Sequence, residues 1–235
     1  MIIGIIGGNG VAATNKLLAI IEEKLTKNGA FRDAHHPEML AFQATQAPSR
    51  SMFLEGRGES FVPAYVDIAK KLKSFGAAKL AMCCNTAHFA VDEISRSADI
   101  PFIDCIEATA KKALLMNPKE VVVICSDGAA KYKLYDKYLG TSVKIVYPNA
   151  ETQALVTKGI CSIKNTCRFL PESSPDNPAN IFAEVERIFN PEKGRVLIMG
   201  CTDIGVVYAS QNPNVVDSLS CLADAIVDEV QERLK

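Results

Sequence analysis

Short apolar runs alternate with longer amphipathic stretches along the chain. The apolar runs are typical of buried strands, and the amphipathic stretches are typical of helices that cover a sheet. We predict strands at Met1–Gly7, Met39–Gln43, Lys79–Cys83, Pro101–Ile103, Glu120–Cys125, Val143–Val146, Arg195–Met199 and Asn214–Val216. We predict helices at about 11–26, 62–75, 85–96, 105–117, 128–139, 150–165, 179–190 and 218–234.

The helix at 62–75 has the clearest period, with apolar positions at Val62, Tyr65, Ile68, Ala69 and Leu72. Alternating strands and helices predict parallel strands joined by right-handed crossovers. Ligands bind such sheets at the carboxyl ends of the strands, so the residues directly after each strand are the functional candidates. Pro171–Pro178, with three prolines, predicts a loop that is either a lid or a connection.

The two halves of the chain repeat one order of features. Lys79–Cys83 leads into Cys84, and Arg195–Met199 leads through Gly200 into Cys201, which lies 201 − 84 = 117 residues later. The flanking strands and turns repeat as well, at Ile5–Gly10 and Val123–Gly128 and again at Pro101–Asp104 and Asn214–Asp217. The repeat predicts an α/β fold of two similar lobes, each a small parallel sheet flanked by helices. We expect 1–104 with 212–235 to form the first lobe and 105–211 the second, with the active site in the cleft between them.

Cys84 and Cys201 are the candidate catalytic residues. Each lies at a predicted strand-to-helix junction, where helix amides and the helix dipole favour a thiolate. One thiolate on each side of a substrate carbon can remove a proton from one face while the other side delivers a proton to the opposite face. Racemisation is the simplest reaction that this pair supports. Asn85, Thr86 and Thr202 can add hydrogen bonds to a carboxylate. The other six cysteines are interpreted as inert core residues.

Composition excludes several other classes. The apolar fraction of 48% and the charged fraction of 23% are ordinary for a globular protein, and the net charge of -1 gives no argument for nucleic acid or an anionic membrane. No apolar run approaches the roughly 20 residues that a membrane helix needs, and the first residues lack the basic flank of a signal peptide. Because no pair of the eight cysteines is spaced as CxxC, and only three histidines are present, we expect reduced thiols, no metal site and a cytoplasmic protein.

The two cysteine segments resemble the paired signatures of the aspartate/glutamate racemase family. The matching residues are Cys84-Asn85-Thr86-Ala87-His88 and Gly200-Cys201-Thr202-Asp203, and Gly7–Thr14 resembles the opening glycine turn of the family. The likeness follows the whole chain in order. It implies that the two cysteines are the bases for opposite enantiomers of a small amino-acid substrate. It also implies that no pyridoxal phosphate or other cofactor is needed and that the chain forms a homodimer.

Two further matches concern the substrate. Pro48-Ser49-Arg50-Ser51 resembles the aspartate racemase segment whose arginine binds the distal carboxylate, and Gln153–Lys164 resembles the family helix ending in a lysine of the same purpose. These matches favour aspartate over glutamate. The chain also departs from the family pattern. Asn9 replaces the usual methionine and becomes a candidate substrate contact, Asp203 replaces glutamate, Cys161 replaces tyrosine, and no glycine follows Lys164.

His88 lies four residues after Cys84, on the same face of the predicted helix. His88 and Asp203 are candidates for supporting the cysteines, although a purely structural hydrogen bond explains His88 equally well.

Other functions remain open at this stage. Enzymes with a similar cysteine frame isomerise maleate, decarboxylate malonates, racemise hydantoins or racemise amino acids broadly, and a solute-binding module could use the same lobes. Gly8-x-Gly10-x-x-Ala13 fits the dinucleotide fingerprint, but no acidic residue follows Met39–Gln43 as that fingerprint requires.

Overall fold

The computed structural model describes residues 1–141 and 143–231, except for the side chain of Gln231. Within these residues the strands form two four-stranded parallel sheets. The first sheet has the order β2-β1-β3-β4 and the second has the order β6-β5-β7-β8, so the two sheets share one topology. The predicted α/β fold of two similar halves is confirmed. The strands are β1 (Ile2–Gly7), β2 (Met39–Gln43), β3 (Ala77–Met82), β4 (Phe102–Ile103), β5 (Glu120–Ile124), β6 (Lys144–Val146), β7 (Arg195–Met199) and β8 (Val215–Asp217).

Helices connect and cover these strands. They are α1 (Val11–Lys27), α2 (Arg50–Leu54), α3 (Val62–Ser74), α4 (Val91–Ala98), α5 (Cys105–Leu114), α6 (Asp127–Lys131), α7 (Asp136–Leu139), α8 (Ala150–Ile163), α9 (Pro178–Phe189), α10 (Ile204–Val207) and α11 (Ser218–Gln231). Short 3-10 helices lie at Asp33–His35, Thr86–Ala90 and Thr166–Phe169.

Two hydrophobic cores hold these layers together. The strands at the centre of each sheet are buried on both faces, as parallel strands covered by helices must be, and Ile5 and Ile124 are both fully buried. In the first core the apolar face of α3 packs on β1 and β3, with Tyr65 and Leu72 buried. In the second core Phe182 of α9 is buried in the same cluster as residues of β5 and β7.

The chain divides into two compact units, which we call the first and second lobes. The first lobe is Met1–Cys105 together with the chain from Leu219 onward, and the second lobe is Ile106–Ser218. The predicted boundary at 212 is wrong, because β8 pairs with β7 in the second sheet. Of the described elements after β8, α11 returns to the first lobe from Leu219 onward. Residues 232–234 of the predicted last helix lie outside the described residues.

Two predicted helices differ from the structure. The helix predicted at 85–96 is a 3-10 turn, Thr86–Ala90, followed by the short α4. The helix predicted at 128–139 is broken into α6 and α7, because Lys133 has a left-handed backbone with φ 48°. The predicted loop ends at Asn177, whose side chain accepts a hydrogen bond from the Ala179 amide and caps α9. Among the described residues, no helix is both long and apolar enough to cross a membrane.

Candidate active site

The first sheet brings Asn9, Arg50 and Cys84 to its carboxyl edge. Asn9 follows β1, Cys84 follows the neighbouring β3, and Arg50 opens α2 after β2. Gly8 makes the turn before Asn9 with φ +78°, and a Cβ at this position would lie 2.6 Å from the Ala44 backbone nitrogen. Only glycine fits both the left-handed backbone and this close approach. The turn therefore fixes where Asn9 is presented.

Arg50 is a cation without an acidic partner. Its Nη1 donates to the Pro48 carbonyl at 3.1 Å and its Nη2 to the Asn9 carbonyl at 3.5 Å. Its Nε is buried without a hydrogen-bond partner. No carboxylate of the residues that the structure describes lies within ion-pair distance of the guanidinium. The guanidinium is thus held in place by backbone carbonyls while its charge remains uncompensated.

Tyr65 of α3 is a polar member of this group that the sequence pattern did not reveal. Its hydroxyl donates to Oδ1 of Asn9, and both residues are buried. Burial raises the pKa of Tyr65, and the nearby negative charge of Cys84 adds to this effect, while Arg50 opposes it. At neutral pH the phenol is therefore protonated and acts as a donor. Tyr65 sits on the apolar face of its helix, so hydrophobic periodicity alone assigned it to the core.

His88 connects the turn that carries Cys84 to the start of α5. Its Nδ1 lies 2.8 Å from the Cys84 carbonyl oxygen, and the Cys105 amide donates to its Nε2 at 3.1 Å. A carbonyl only accepts and an amide only donates, so Nδ1 is the donor and Nε2 the acceptor in these two contacts. The Asp104 carboxylate lies 3.7 Å from Nε2. The His88 side chain is 1% exposed, and these contacts hold the backbone of Cys84 in position.

The second sheet presents Cys201 in the equivalent place, after β7. Gly200 precedes it, donates to the Ile124 carbonyl at 2.6 Å, and leaves no room for a Cβ because the Tyr135 hydroxyl would lie 3.0 Å away. Cys84 and Cys201 are both partly exposed, whereas Cys83 and Cys125 are fully buried.

Lys164 and Asp203 form an ion pair in the second lobe. The Lys164 Nζ lies 3.0 Å from Oδ2 of Asp203, and their side chains are 49% and 6% exposed. Lys164 ends α8, and Asp203 is two residues after Cys201. The lysine predicted to serve a distal carboxylate is therefore already paired with a carboxylate of the protein.

A further polar group lies at the carboxyl end of β5. Thr157 donates to Asp127 at 3.0 Å, and Gln153 donates to the Cys125 carbonyl at 3.0 Å. Burial raises the pKa of Cys125, and the charges of Cys201 and Asp127 raise it further, so Cys125 stays a thiol. The same charges place Cys201 and Asp127 in the neighbourhood of Cys125. Asp127 is thus a residue near Cys201 that the sequence argument did not single out.

Only short helical turns follow the two cysteines. A 3-10 turn follows Cys84, and the four-residue α10 follows Cys201. Because a single turn has only a small dipole, the support that a helix dipole gives to a thiolate at either cysteine is weaker than the sequence pattern suggested. Asn85, Thr86 and Thr202 are buried beside the cysteines, at 3%, 7% and 3% exposure. No group of three or more potential metal ligands occurs within the described part of the chain.

Comparison with known proteins identifies the family. The profile described as Asp/Glu/hydantoin racemase matches residues 3–226. The chain belongs to the Asp/Glu/hydantoin racemase family. It is therefore an amino-acid racemase, an isomerase, as the resemblance of its two cysteine segments implied.

Individual members of this racemase family show how far the likeness extends. The broad specificity amino-acid racemase RacX of Bacillus subtilis (strain 168) is 25% identical over 232 residues, which is 96% of each chain. A glutamate racemase of Staphylococcus aureus (strain JH9) is 26% identical over 153 residues, or 64% of this chain and 55% of that relative. The structure of Picrophilus torridus aspartate racemase superposes with a TM-score of 0.81 at 27% identity, covering 98% of this chain and 94% of the other.

Proposed function

We propose that this racemase interconverts the enantiomers of an acidic amino acid, aspartate in preference to glutamate, without a cofactor. The observation that carries the proposal is the equivalent position of Cys84 and Cys201, each after the third strand along its own sheet order. Equivalent positions in the two repeated lobes supply two thiols. Racemisation requires two such groups, because each enantiomer loses its α-proton from the opposite face of Cα.

In the proposed mechanism one cysteine is a thiolate and the other is a thiol. The thiolate takes the α-proton, the Cα–H bond breaks, and its electron pair is delocalised into the α-carboxylate. The thiol of the other cysteine then gives its proton to the opposite face of Cα. The product leaves with the protonation states of Cys84 and Cys201 exchanged, so the enantiomeric product is the substrate of the reverse reaction. General acid–base catalysis of this type contributes about 10²–10⁴-fold to the rate.

Two carboxylates of the substrate need different partners. The buried polar residues Asn85, Thr86 and Thr202 beside the cysteines suit the α-carboxylate, where negative charge develops as the proton leaves. The uncompensated Arg50 suits the distal carboxylate, because a guanidinium can bind it through two parallel hydrogen bonds. Arg50 and Asn9 lie at one edge of the first sheet with Cys84, which supports a substrate whose second carboxylate is close to Cα.

Broad amino-acid racemisation is the second candidate. The observation in its favour is the Lys164–Asp203 ion pair, which neutralises one of the two cations expected to attract a distal carboxylate. With a single uncompensated cation, the preference for dicarboxylic substrates is weaker than a pair of cations would give. The similarity to a broad specificity racemase along 96% of both chains points the same way.

The test is exchange in D2O without added cofactor, using L-aspartate, L-glutamate, L-alanine and L-lysine separately. Proton NMR follows the loss of the α-proton, and chiral chromatography follows the D-isomer. We expect both signals with aspartate, and a loss of about 10²–10⁴-fold in Cys84→Ala and in Cys201→Ala. Cys221→Ala and Cys167→Ala are matched controls, one in each lobe, and should retain the wild-type rate.

Each outcome distinguishes the alternatives. Faster turnover of alanine and lysine than of aspartate would establish the broad-specificity alternative. Undiminished formation of the D-isomer in either cysteine variant would refute the two-base mechanism. A folded, reduced protein that exchanges none of the four would refute both candidate functions.

We also propose a homodimer, on the resemblance alone. Size-exclusion chromatography with light scattering measures the mass of the particle against the 25.4 kDa of one chain. A mass near one chain at micromolar concentration would refute the dimer.

A further inference from the structure

Tyr65 makes one polar contact inside the core of the first lobe. Its side chain is fully buried, and its hydroxyl meets the carboxamide oxygen of Asn9, which is itself 4% exposed. A phenylalanine would fill the same volume without a hydroxyl to satisfy. Burying a hydroxyl is unfavourable unless it is hydrogen-bonded. The hydrogen bond therefore offsets the cost of burying both groups, the Tyr65 hydroxyl and the Asn9 carboxamide oxygen.

The contact fixes which way the Asn9 carboxamide faces. The two ends of a carboxamide have similar shapes, but only the oxygen accepts a hydrogen bond from a hydroxyl donor. In the structure Oδ1 accepts from the buried Tyr65 O–H, so Nδ2 is turned away from this hydroxyl. A donor group of Asn9 is thus presented in one defined direction.

Arg50 and Cys84 both lie near the Tyr65–Asn9 hydrogen bond. The Arg50 guanidinium donates to the backbone carbonyl of Asn9, and the charges of Arg50 and Cys84 both act on the Tyr65 hydroxyl. Asn9 is therefore held by two groups, its side chain by Tyr65 and its backbone by Arg50.

We propose that Tyr65 is a positioning residue, whose hydroxyl orients the Asn9 carboxamide so that its nitrogen donates to the substrate carboxylate bound by Arg50. This inference rests on the proposed function, because it takes a dicarboxylic amino acid as substrate. With Asn9, the carboxylate site beside Cys84 has a second hydrogen-bond donor in addition to Arg50. Substrate binding then depends on Tyr65, a residue in the core of the lobe.

The first experiment compares the steady-state kinetics of wild type and Tyr65→Phe with L-aspartate. A hydrogen bond made equally in the ground state and the transition state changes KM and leaves kcat alone. We expect KM to rise about 10-fold, with kcat within about 2-fold. Tyr208→Phe is the matched control, since it removes a hydroxyl that donates to Glu186 at 2.8 Å in the other lobe, and its KM should be unchanged.

Asn9→Met and the double variant show whether Tyr65 acts through Asn9. If it does, Asn9→Met raises KM by a similar factor, and adding Tyr65→Phe raises it no further. Two multiplicative effects would mean that Tyr65 reaches the substrate by another route, and they would overturn the proposal.

Asn9→Asp tests the direction of the nitrogen and does not depend on how well Tyr65→Phe folds. It preserves an acceptor for Tyr65 but replaces the nitrogen with a carboxylate oxygen, so we expect KM for aspartate to rise more than 10-fold by repulsion. An unchanged KM in Asn9→Asp would overturn the proposal. A wild-type protein that fails to racemise aspartate would instead refute the proposed function, which separates the two failures.

Discussion

At the scale of single residues, the Lys164–Asp203 pair decides how much positive charge the second lobe offers. The pair is 3.0 Å apart, with the carboxylate buried and the ammonium half exposed. If Lys164 serves the distal carboxylate, Asp203 competes with the substrate for it. We expect Asp203→Asn to lower KM for L-aspartate about 3-fold and Lys164→Met to raise it about 3-fold, in line with a half-exposed ion pair worth less than about 1 kcal/mol.

Stability gives the control for that prediction. Lys164→Met leaves the Asp203 carboxylate buried without its cation, so its melting temperature should fall more than that of Asp203→Asn. KM values that stay unchanged in both variants would show that the charge of Lys164 does not reach the substrate. In that case the pair is structural, and Arg50 alone selects for a second carboxylate.

Residue identities at the site were only partly readable from the sequence. Asn9, Cys84 and Cys201 could be placed because the residues after parallel strands lie at the carboxyl edge of a sheet. The contact of Tyr65 with Asn9 could not, because a tyrosine on an apolar helix face does not disturb the hydrophobic period. The pairing of Lys164 with Asp203 depends on tertiary contact between the end of α8 and the turn after β7, which no local pattern encodes.

At the scale of elements, the packing of α8 on α9 depends on Gly159. A Cβ at this position would lie 2.7 Å from Cζ of Phe182 and 3.0 Å from Cγ2 of Ile181. Alanine would improve helix propensity by about 1 kcal/mol but would overpack a buried ring at a cost of about 1–3 kcal/mol. We expect Gly159→Ala to destabilise the protein by about 1 kcal/mol, measured as a lower urea midpoint with an unchanged m-value.

Phe182→Leu supplies the control for the glycine. With the ring removed, Gly159→Ala should destabilise the protein less than in wild type, because the closest contact is gone and only the 3.0 Å contact with Cγ2 of Ile181 opposes the gain in helix propensity. If Gly159→Ala destabilises both backgrounds equally, steric contact with Phe182 is not the cause.

Three neighbouring strands of the second sheet are joined at their start by Glu120. Its carboxylate accepts from Lys144 at 2.7 Å and from Arg195 at 2.6 Å, residues that pair with it in β6 and β7. The hydrogen bond from Lys144 lowers the pKa of Glu120 below its ordinary value of about 4.5, and Arg195 adds to this against the effect of burial. A lowered pKa in the folded protein stabilises it above the ordinary pKa, and this contribution is lost as the pH falls through the folded value.

Glu120→Gln should therefore reduce the free energy of unfolding by about 1 kcal/mol at pH 7. The difference from wild type should shrink as the pH falls below about 4.5 and disappear below the lowered pKa of Glu120 in the folded protein, where both side chains are neutral. Urea unfolding at pH 7, 5, 4 and 3 measures it. A difference that is constant across this range would mean that the glutamine loses packing rather than charge.

The strands were predicted better than the breaks within helices and the short helices. All eight strands were placed within two residues of their observed ends, because runs buried on both faces carry a strong apolar signal. The left-handed Lys133 that divides α6 from α7 has no such signal. The five-residue α2 and four-residue α10 are too short to show a helical period, although both lie next to candidate site residues.

At the scale of the whole molecule, the repeat of one sheet order explains how one chain obtains two similar carboxyl edges, each followed by a cysteine segment. β2-β1-β3-β4 becomes β6-β5-β7-β8 when four is added to each number. In each sheet one of the two central strands ends in a turn and the other leads into a cysteine segment. The repeated fold therefore contains one such cysteine in each lobe. The lobes then diverge in charge, with an uncompensated Arg50 in the first and the paired Lys164 in the second.

The chain closes the first lobe with its last helix. Leu222 of α11 is fully buried, and Lys24 and Lys79 form ion pairs with Asp224 and Glu229 of the same helix. Removing the leucine side chain costs about 2–5 kcal/mol. Leu222 lies 222 − 105 = 117 residues after Cys105, where the first segment of this lobe ends. Because α11 belongs to the same lobe as residues 1–105, we expect the loss of stability in those residues.

Native-state hydrogen exchange should therefore accelerate in 1–105 and 219–231 in Leu222→Ala, and remain near wild type in 106–218. Leu197→Ala removes the same side chain from β7, also fully buried, and should accelerate exchange in 106–218 instead. Local and sub-global openings follow cooperative units, so the two variants should give opposite maps. A uniform acceleration along the chain in both variants would mean that the lobes open as one unit. In that case α11 would pack on the first lobe without making that lobe a separate unit of stability.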